Sequence, residues 1–240
     1  MEIAEDGWLS ERFGHPVFTL RGDLDAAALR SHVEGAGTAS YQAKVPSADV
    51  AQLHALCAAG FQVVCVSVAL RRDDDVAPIL PAADEPLVRT LDVERDGVLP
   101  ELAARAFRTS RFHLDPDVPD ELAARIKHDW AAAYLEGTRG EGALVVEIDG
   151  ATAGFLGVVA GEGIRVIDLI AVSPDAQGRG AGRALVRRFC EDAHGRSEAV
   201  AVGTQTANER AIRFYERLGF ETARTAYDLH LHAGSPWALN

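Results

Sequence analysis

Three glycines at alternate positions, Gly178, Gly180 and Gly182, follow a strand and open a helix, and the chemistry of the chain is concentrated around them. The run Val166-Ile167-Asp168-Leu169-Ile170-Ala171-Val172 is β-branched and short enough for a buried strand. Ser173-Pro174 ends it, and Ala184, Leu185, Phe189 and Cys190 then recur at helical spacing. Glycines leave backbone N–H groups uncovered. At a helix N-terminus those donors and the positive dipole end point at an anion together, so the loop reads as a phosphate or pyrophosphate site, with a ligand-free glycine turn the equal alternative from this loop alone. Arg179, Arg183, Arg187 and Arg188 lie in or just after the loop, where a polyphosphate needs them; Arg187 and Arg188 serve equally well as solvated helix surface. Two groups could move protons: Asp168, a carboxylate set in an apolar strand and costly to bury without a partner, and the hydroxyl of Tyr215.

The spacing excludes two common phosphate loops. A dinucleotide fingerprint needs a third glycine three residues after the second, and that place holds Arg183 or Leu185; a P-loop needs Gly-Lys before Ser or Thr, which this loop lacks. What remains is Gln177-x-x-Gly180-x-Gly182. A second segment follows one helix and one strand (Val200 to Thr204) later, Asn208-Glu209-Arg210-Ala211-Ile212-Arg213-Phe214-Tyr215-Glu216-Arg217-Leu218-Gly219-Phe220, in which Ile212, Tyr215 and Leu218 share a helix face and Gly219 supplies the left-handed stop. The two segments in this order resemble the coenzyme loop and the following motif of the GCN5-related N-acetyltransferases (GNAT).

That resemblance covers residues from Leu87 to about His232. A first strand (Leu87 to Leu91), two helices (near Leu99 to Phe107 and Asp120 to Leu135) and a hairpin from Val145 to Phe155 with an Asp149-Gly150 turn complete its element order. The expected fold is α/β with a mixed sheet: a catalytic domain at 87–240, a linker at 73–86 rich in charge and proline, and a leading unit at 1–72. The leading unit reads as a degenerate half-copy of the same fold. Aligning Gly60-Phe61 on Gly219-Phe220 puts Ser47 on Thr206, Asp49 on Asn208, Leu53 on Ile212, Leu56 on Tyr215 and Leu70 on Leu229, with no counterpart of the glycine loop upstream. Its expected role is structural, with Phe61 to Leu70 a buried strand that extends or abuts the catalytic sheet; chance similarity is the alternative.

Composition narrows the function classes. The 240 residues are 48% hydrophobic, enough for a sizeable core, and carry a formal charge of −12, which disfavours nucleic acid. No apolar run is long enough to cross a bilayer and the N-terminus lacks signal-peptide features, so a cytoplasmic protein without membrane contact is the expectation. Cys57, Cys65 and Cys190 read as buried reduced thiols. His230 and His232 share one side of the last strand without a third ligand in view, so no metal is expected.

The resemblance implies acetyl-CoA as cosubstrate, held by backbone of Leu169, Ile170, Ala171 and Val172, by the loop residues Gln177, Gly178, Arg179, Gly180, Ala181, Gly182 and Arg183, and by Asn208 and Ala211. It implies Tyr215 as general acid, against the commoner alternative of a core tyrosine, and Asp168 as general base, with a salt-bridged structural carboxylate weighed equally. Thr109-Ser110-Arg111-Phe112-His113, Trp130, Thr225-Ala226-Tyr227 and the leading unit further resemble two-domain members that acetylate nucleotide-linked amino-deoxysugars, of the TDP-fucosamine acetyltransferase type. Carried across, Ser110, Arg111 and Phe112 would line the acceptor pocket, Arg111 meeting a phosphate or instead capping a helix or pairing with Asp115 or Asp117. Asp168 departs from the small residue expected in that subtype. The expected partner is a small-molecule amine, first an amino-sugar nucleotide, then an aminoglycoside or polyamine, then a protein N-terminus or lysine. A homodimer stays open, as does a non-catalytic acyl-CoA-binding role.

Overall fold

Strand-forming runs from both ends of the chain pair into one another. The structure, a computed structural model, describes residues 1–196 and 198–234, so 235–240 of the assigned domain lie outside the described residues. The order is β1 (Glu2–Glu5), α1 (Gly7–Phe13), β2 (Val17–Arg21), α2 (Ala26–Ala36), β3 (Ala39–Pro46), α3 (Val50–Ala58) and β4 (Gln62–Arg72). Then come β5 (Leu87–Thr90), α4 (Leu99–Ala106), α5 (Asp120–Leu135), β6 (Ala143–Ile148), β7 (Ala151–Gly161), β8 (Ile164–Val172), α6 (Ala181–His194), β9 (Ala199–Gln205), α7 (Glu209–Glu216) and β10 (Glu221–Ala233). Among the described residues these form one mixed sheet of ten strands, β1-β2-β3-β10-β4-β9-β8-β7-β6-β5. The Asp149-Gly150 turn has positive φ at both residues (54° and 78°), the conformation that suits a tight hairpin.

The two halves exchange strands. β10 pairs antiparallel with β3, β4 pairs antiparallel with β9, and β4 and β10 pair with each other at the centre. Read outward from that pair, the order is symmetric: β3 answers β9, β2 answers β8, and β1 answers β7, with β2–β3 and β8–β9 both parallel. Local hydrogen bonds repeat at the offset found in the sequence. Asp49 caps α3 through the Gln52 N–H (3.0 Å) as Asn208 caps α7 through the Ala211 N–H (3.2 Å). The Ser47 N–H donates across to Thr225 O (3.0 Å) as the Thr206 N–H donates to Val66 O (2.8 Å). Such paired contacts at one spacing favour duplication over chance. The leading half therefore supplies a central strand of the sheet instead of abutting it.

Helices cover both faces of the catalytic half. α6 packs over Leu144, Val146, Leu156, Ile167 and Val202, while α4 and α5 pack over Val145, Phe155, Leu169 and Ala171 on the other side. Ile167 and Leu169 are two apart yet face opposite ways, which regular strand alternation forbids. The register explains it: Gly157 opposes Leu169 and Val158 opposes Ile167, so Asp168 is an extra residue, a β-bulge that flips the side chains beyond it.

The segment at 73–86 has no helix or strand, as linker composition implies, but it is held down. Arg72 donates to the carbonyls of Val76, Ala77 and Leu218, and Glu85 takes Arg183 and Arg187 of α6. One expectation for the thiols is corrected: Cys190 is buried, Cys65 half-buried, and Cys57 exposed, because it lies on the solvent side of α3.

Candidate active site

The bulge at Asp168 coincides with the place where the sheet opens. β8 and β9 pair from Ile164↔Ala199 to Ile167↔Val202 and no further. Beyond it β9 continues with β4 (Gly203↔Ala69 to Gln205↔Ser67), while β8 continues with β7 to Val172↔Gly154. The edge of β8 that faced β9 is thus released from the ladder, leaving polar backbone for a ligand.

A cleft of about 540 Å³ occupies this opening. Ile170, Ala171 and Val172 form one wall, and Gln177, Gly178, Gly180, Ala181, Gly182 and Arg183 another. α7 contributes Asn208, Arg210, Ala211, Phe214, Tyr215 and Arg217, and the end of α4 with its following turn contributes Ala106 to Thr109. Leu169 sits behind this wall, 3% exposed in the core under α4 and α5.

The loop leaves its donors bare. Gly178 and Gly180 hold φ of 79° and 81°, and Gly180 is the N-cap of α6 with no side chain to close it. The N–H groups of Ala181, Gly182 and Arg183 belong to the first turn and find no acceptor among the described residues. Such a turn fits a diphosphate, through both its donors and the helix dipole. Gln177 is fixed by Arg210, whose Nη1 donates to its Oε1 at 2.8 Å. Two of the arginines have protein partners instead: Arg179 pairs with Asp149 (2.8 Å), outside the cleft lining, and Arg183 donates to Leu80 O (2.6 Å) and Glu85 (3.3 Å).

Tyr215 is 3% exposed, its ring against Phe220 (centroids 5.4 Å) and Phe214 (5.1 Å), and its hydroxyl bonds to no described residue. Burial raises its pKa, so the phenol is held as the neutral acid. A buried tyrosine normally finds a hydroxyl partner. Here the side of α7 that carries it lines the cleft.

Asp168 is committed to its neighbours. Its Oδ2 accepts from Trp130 Nε1 (2.8 Å), Tyr134 Oη (2.7 Å) and Arg139 Nε (2.6 Å), and its Oδ1 from Arg139 Nη2 (2.9 Å). Burial alone would raise its carboxyl, but these bonds outweigh it and hold the group below the ordinary carboxylate range. A carboxylate saturated with donors is a weak base, so the geometry favours the salt-bridged account. The bulge is thereby pinned to α5 and the turn after it. Gly157, opposite Leu169, leaves room for this: a Cβ there would lie 2.6 Å from Tyr134 Cε2.

The three residues assigned to the acceptor do not form one surface. Phe112 is 1% exposed in a core with Leu9, Phe13, Val17 and Ile126, so it is a packing residue that joins the halves; it does not line the pocket. Ser110 is buried and its Oγ bonds His113 Nδ1 (2.7 Å). Arg111 does not pair with Asp115 or Asp117; its guanidinium lies 4.6 Å over the Phe112 ring. Asp115 instead supplies the third group beside His230 and His232, bonding their rings at 2.5 and 2.9 Å, with all three ligand atoms within 4.8 Å. His232 continues through Ser40 (2.7 Å) to His15 (2.8 Å). Sequence reasoning missed Tyr134 and Arg139, whose only signal was a lone acid in an apolar strand that needed a partner, and Arg210, which stands four residues before Phe214 on the cleft side of α7.

Comparison with known proteins agrees with this geometry. The chain matches the Acetyltransferase (GNAT) family over residues 101–220, and it belongs to that family. It is 32% identical over 135 residues to the spore coat polysaccharide biosynthesis protein SpsD of Bacillus subtilis, covering 56% of this chain and 46% of that protein. It is 30% identical over 154 residues to a mycothiol acetyltransferase of Kineococcus radiotolerans, covering 62% and 43%. The chain therefore spans less than half the length of these curated relatives. A solved tandem GNAT protein from the clavulanic acid biosynthesis pathway shares the fold at a TM-score of 0.59 and 17% identity, over 92% of this chain and 76% of that one. Among the described residues no helix is long and apolar enough to cross a membrane.

Proposed function

We propose that this chain is an acetyl-CoA-dependent N-acetyltransferase that acts on the primary amine of a small molecule, first of all a nucleotide-linked amino-deoxysugar of the TDP-fucosamine type. The observation that carries the transferase reading is the meeting, in one cleft, of a loop of uncapped N–H donors, a strand edge released at a bulge, and an unpartnered neutral tyrosine hydroxyl. Acetyl-CoA supplies the thioester. The loop from Gln177 to Arg183 holds its diphosphate, Asn208 and Ala211 flank it, and backbone around Leu169 to Val172 receives the carbonyl oxygen as it gains charge. Tyr215 gives its proton to the departing sulfur as the C–S bond breaks, and the proton shed by the new amide nitrogen passes to solvent, from which the phenolate is reprotonated. The amine attacks directly, since none of Cys57, Cys65 and Cys190 lines the cleft. Asp168 acts as a positioning residue for the bulge.

The sugar-nucleotide acceptor is supported by the likeness to SpsD, a spore coat polysaccharide biosynthesis protein. Another small amine is the second reading, favoured by the mycothiol acetyltransferase relative. A non-catalytic coenzyme-binding role has no use for the free Tyr215 hydroxyl. A thiol-release screen with acetyl-CoA against amino-sugar nucleotides, aminoglycosides, polyamines and peptides tests the set. Turnover of the first class is expected, turnover of peptides alone overturns the acceptor, and no turnover with intact coenzyme binding returns the third reading.

A further inference from the structure

Next to the coenzyme cleft two cations have no hydrogen-bonded or ion-paired acid among the described residues; Asp228 and Asp6 act on Arg111, and Asp168 on Lys127, only from beyond ion-pair distance. Arg111, half-buried in the turn between α4 and α5, makes no hydrogen bond or ion pair with a described residue, and its Nε is sealed from solvent. Lys127 on α5 is 8% exposed and also lacks one; its Nζ lies over the rings of Phe107 (4.8 Å) and Trp130 (4.3 Å). Among the described residues His113 has a buried Nε2 without a partner, and the exposed Arg108, on the cleft wall, bonds the Phe107 carbonyl. Elsewhere Arg89, Arg139, Arg165 and Arg187 each reach a carboxylate. In a chain of charge −12, partners for two more were easily had.

The acids around them are engaged elsewhere, Asp6 by the Leu9 N–H that it caps (3.0 Å). Asp168 is held by Arg139, Asp115 by His230 and His232, and Asp228 by Lys44 (3.4 Å) with Cys65 Sγ at 3.6 Å. Burial, with the charge of Arg111 adding to it, brings the Lys127 ammonium down to about 7, and burial followed by the charge of Lys127 lowers His113. A largely buried cation whose nearest acids are bonded to other groups is a standing cost that a ligand anion would relieve.

We propose that Arg111 and Lys127, with His113 and Arg108 beside them, form an anion subsite that receives the phosphate or carboxylate of the amine acceptor. The inference rests on the transferase reading of the neighbouring cleft. Position supports it, because Phe107 both lines the cleft and stacks on Lys127, and Trp130 both stacks on Lys127 and bonds the bulge carboxylate. Arg111 supplies a planar fork and Lys127 a point charge, a pairing suited to a phosphate chain.

Calorimetry on the full chain saturated with coenzyme A tests this without needing turnover. Inorganic pyrophosphate or thymidine diphosphate is expected to bind, at least about tenfold more weakly in Arg111→Gln and in Lys127→Met. Binding of glutarate alone, lost in the same variants, supports the subsite and assigns it a carboxylate-bearing acceptor. No anion uptake by the parent, or equal uptake by both variants, overturns it. Lys127→Met is expected to melt at or above the parent temperature, since it removes an unpaired charge; a marked fall makes Lys127 structural and also overturns the subsite. If Arg111→Gln does not fold, Lys127→Met carries the test. Failure of the transferase reading is separable: anion binding would persist with no amine acetylated, whereas an acceptor turned over with unchanged KM in both variants removes the subsite and leaves the transferase.

Discussion

Replacing Asp168 by Asn separates a positioning carboxylate from a catalytic base. The substitution keeps size and one carbonyl oxygen but removes the charge opposite Arg139, and its amide NH2 must face donors from Trp130, Tyr134 or Arg139. Arg139 is 36% exposed and rehydrates, so its share falls well short of the roughly 3–5 kcal/mol of a fully buried broken pair. The Trp130 and Tyr134 donors are sealed more tightly, and each one left unmet costs about 1–3 kcal/mol. A net loss of about 2–4 kcal/mol is expected. At about 2–4 °C per kcal/mol for a chain of this size, the melting temperature falls by roughly 5–15 °C. The assay is a thermal melt together with the pH dependence of acetyl transfer below the melt. Remaining activity should keep the parent's pH profile, because nothing that takes the proton has been removed. A variant that melts with the parent yet loses about 10²-fold or more in rate, with its acid limb shifted, would make Asp168 the base and refute the reasoning from its hydrogen bonds.

Four further outcomes are expected. Tyr215→Phe should lower kcat by about 10² to 10⁴ with coenzyme affinity unchanged, measured by thiol release and calorimetry; unchanged turnover removes Tyr215 from the mechanism. Gly180→Val meets only Pro86 (3.6 Å) within the protein but must adopt φ of 81°, so it should fold with a loss of about 1–2 kcal/mol and no longer take up coenzyme; retained affinity refutes the role of the loop. Gly157→Ala should be worse for stability than Gly203→Ala, whose Cβ meets nothing within 4 Å, as compared by urea melts. Stability should also depend on pH in a defined sense. Folded Lys127, at about 7, lies below its ordinary 10.5, so between those values the unfolded chain holds a proton the folded chain lacks and stability rises with pH. Urea melts at pH 7, 8 and 9 should show this rise in the parent and not in Lys127→Met. His230, lowered by burial from 6.5, and Asp115, where bonds from both histidines outweigh burial and lower it from 3.8, work in the same direction on the acid side, so stability falls first below about 6.5 and again below about 4.

Periodicity and turn chemistry made α5, β9, the 149–150 hairpin and both ends of α7 legible, because each is decided by residues within a few positions of one another. The site was legible where it is backbone: glycines at 178, 180 and 182 advertise bare donors in any tertiary context. It was illegible where side chains converge from distant elements. Nothing local to Asp168 tells that Arg139 rather than a substrate will meet it, and nothing local to Phe112 distinguishes a pocket wall from the joint between halves. The bulge itself escaped notice because one extra residue in an apolar run leaves no compositional trace.

The internal repeat also bears on why the proposed coenzyme site lies in the trailing half. α2 stands to β2 and β3 as α6 stands to β8 and β9, yet Asp25 caps α2 by accepting from the N–H groups of Ala27 and Ala28. That carboxylate satisfies the donors an incoming phosphate would use and adds a negative charge where the phosphate would sit. At the matching end of α6, Gly180 has no side chain to do either. On the partner helices, Asp49 caps α3 with a charge where Asn208 caps α7 without one, and Leu56 stands where Tyr215 does. The leading half has thus closed each feature that the trailing half leaves open, while keeping the strand exchange through which β4 borders β9 where it parts from β8. Opening the leading half therefore takes more than one change: Asp25→Gly alone would uncover α2 donors without a released strand edge beside them, and no coenzyme uptake by that half is expected.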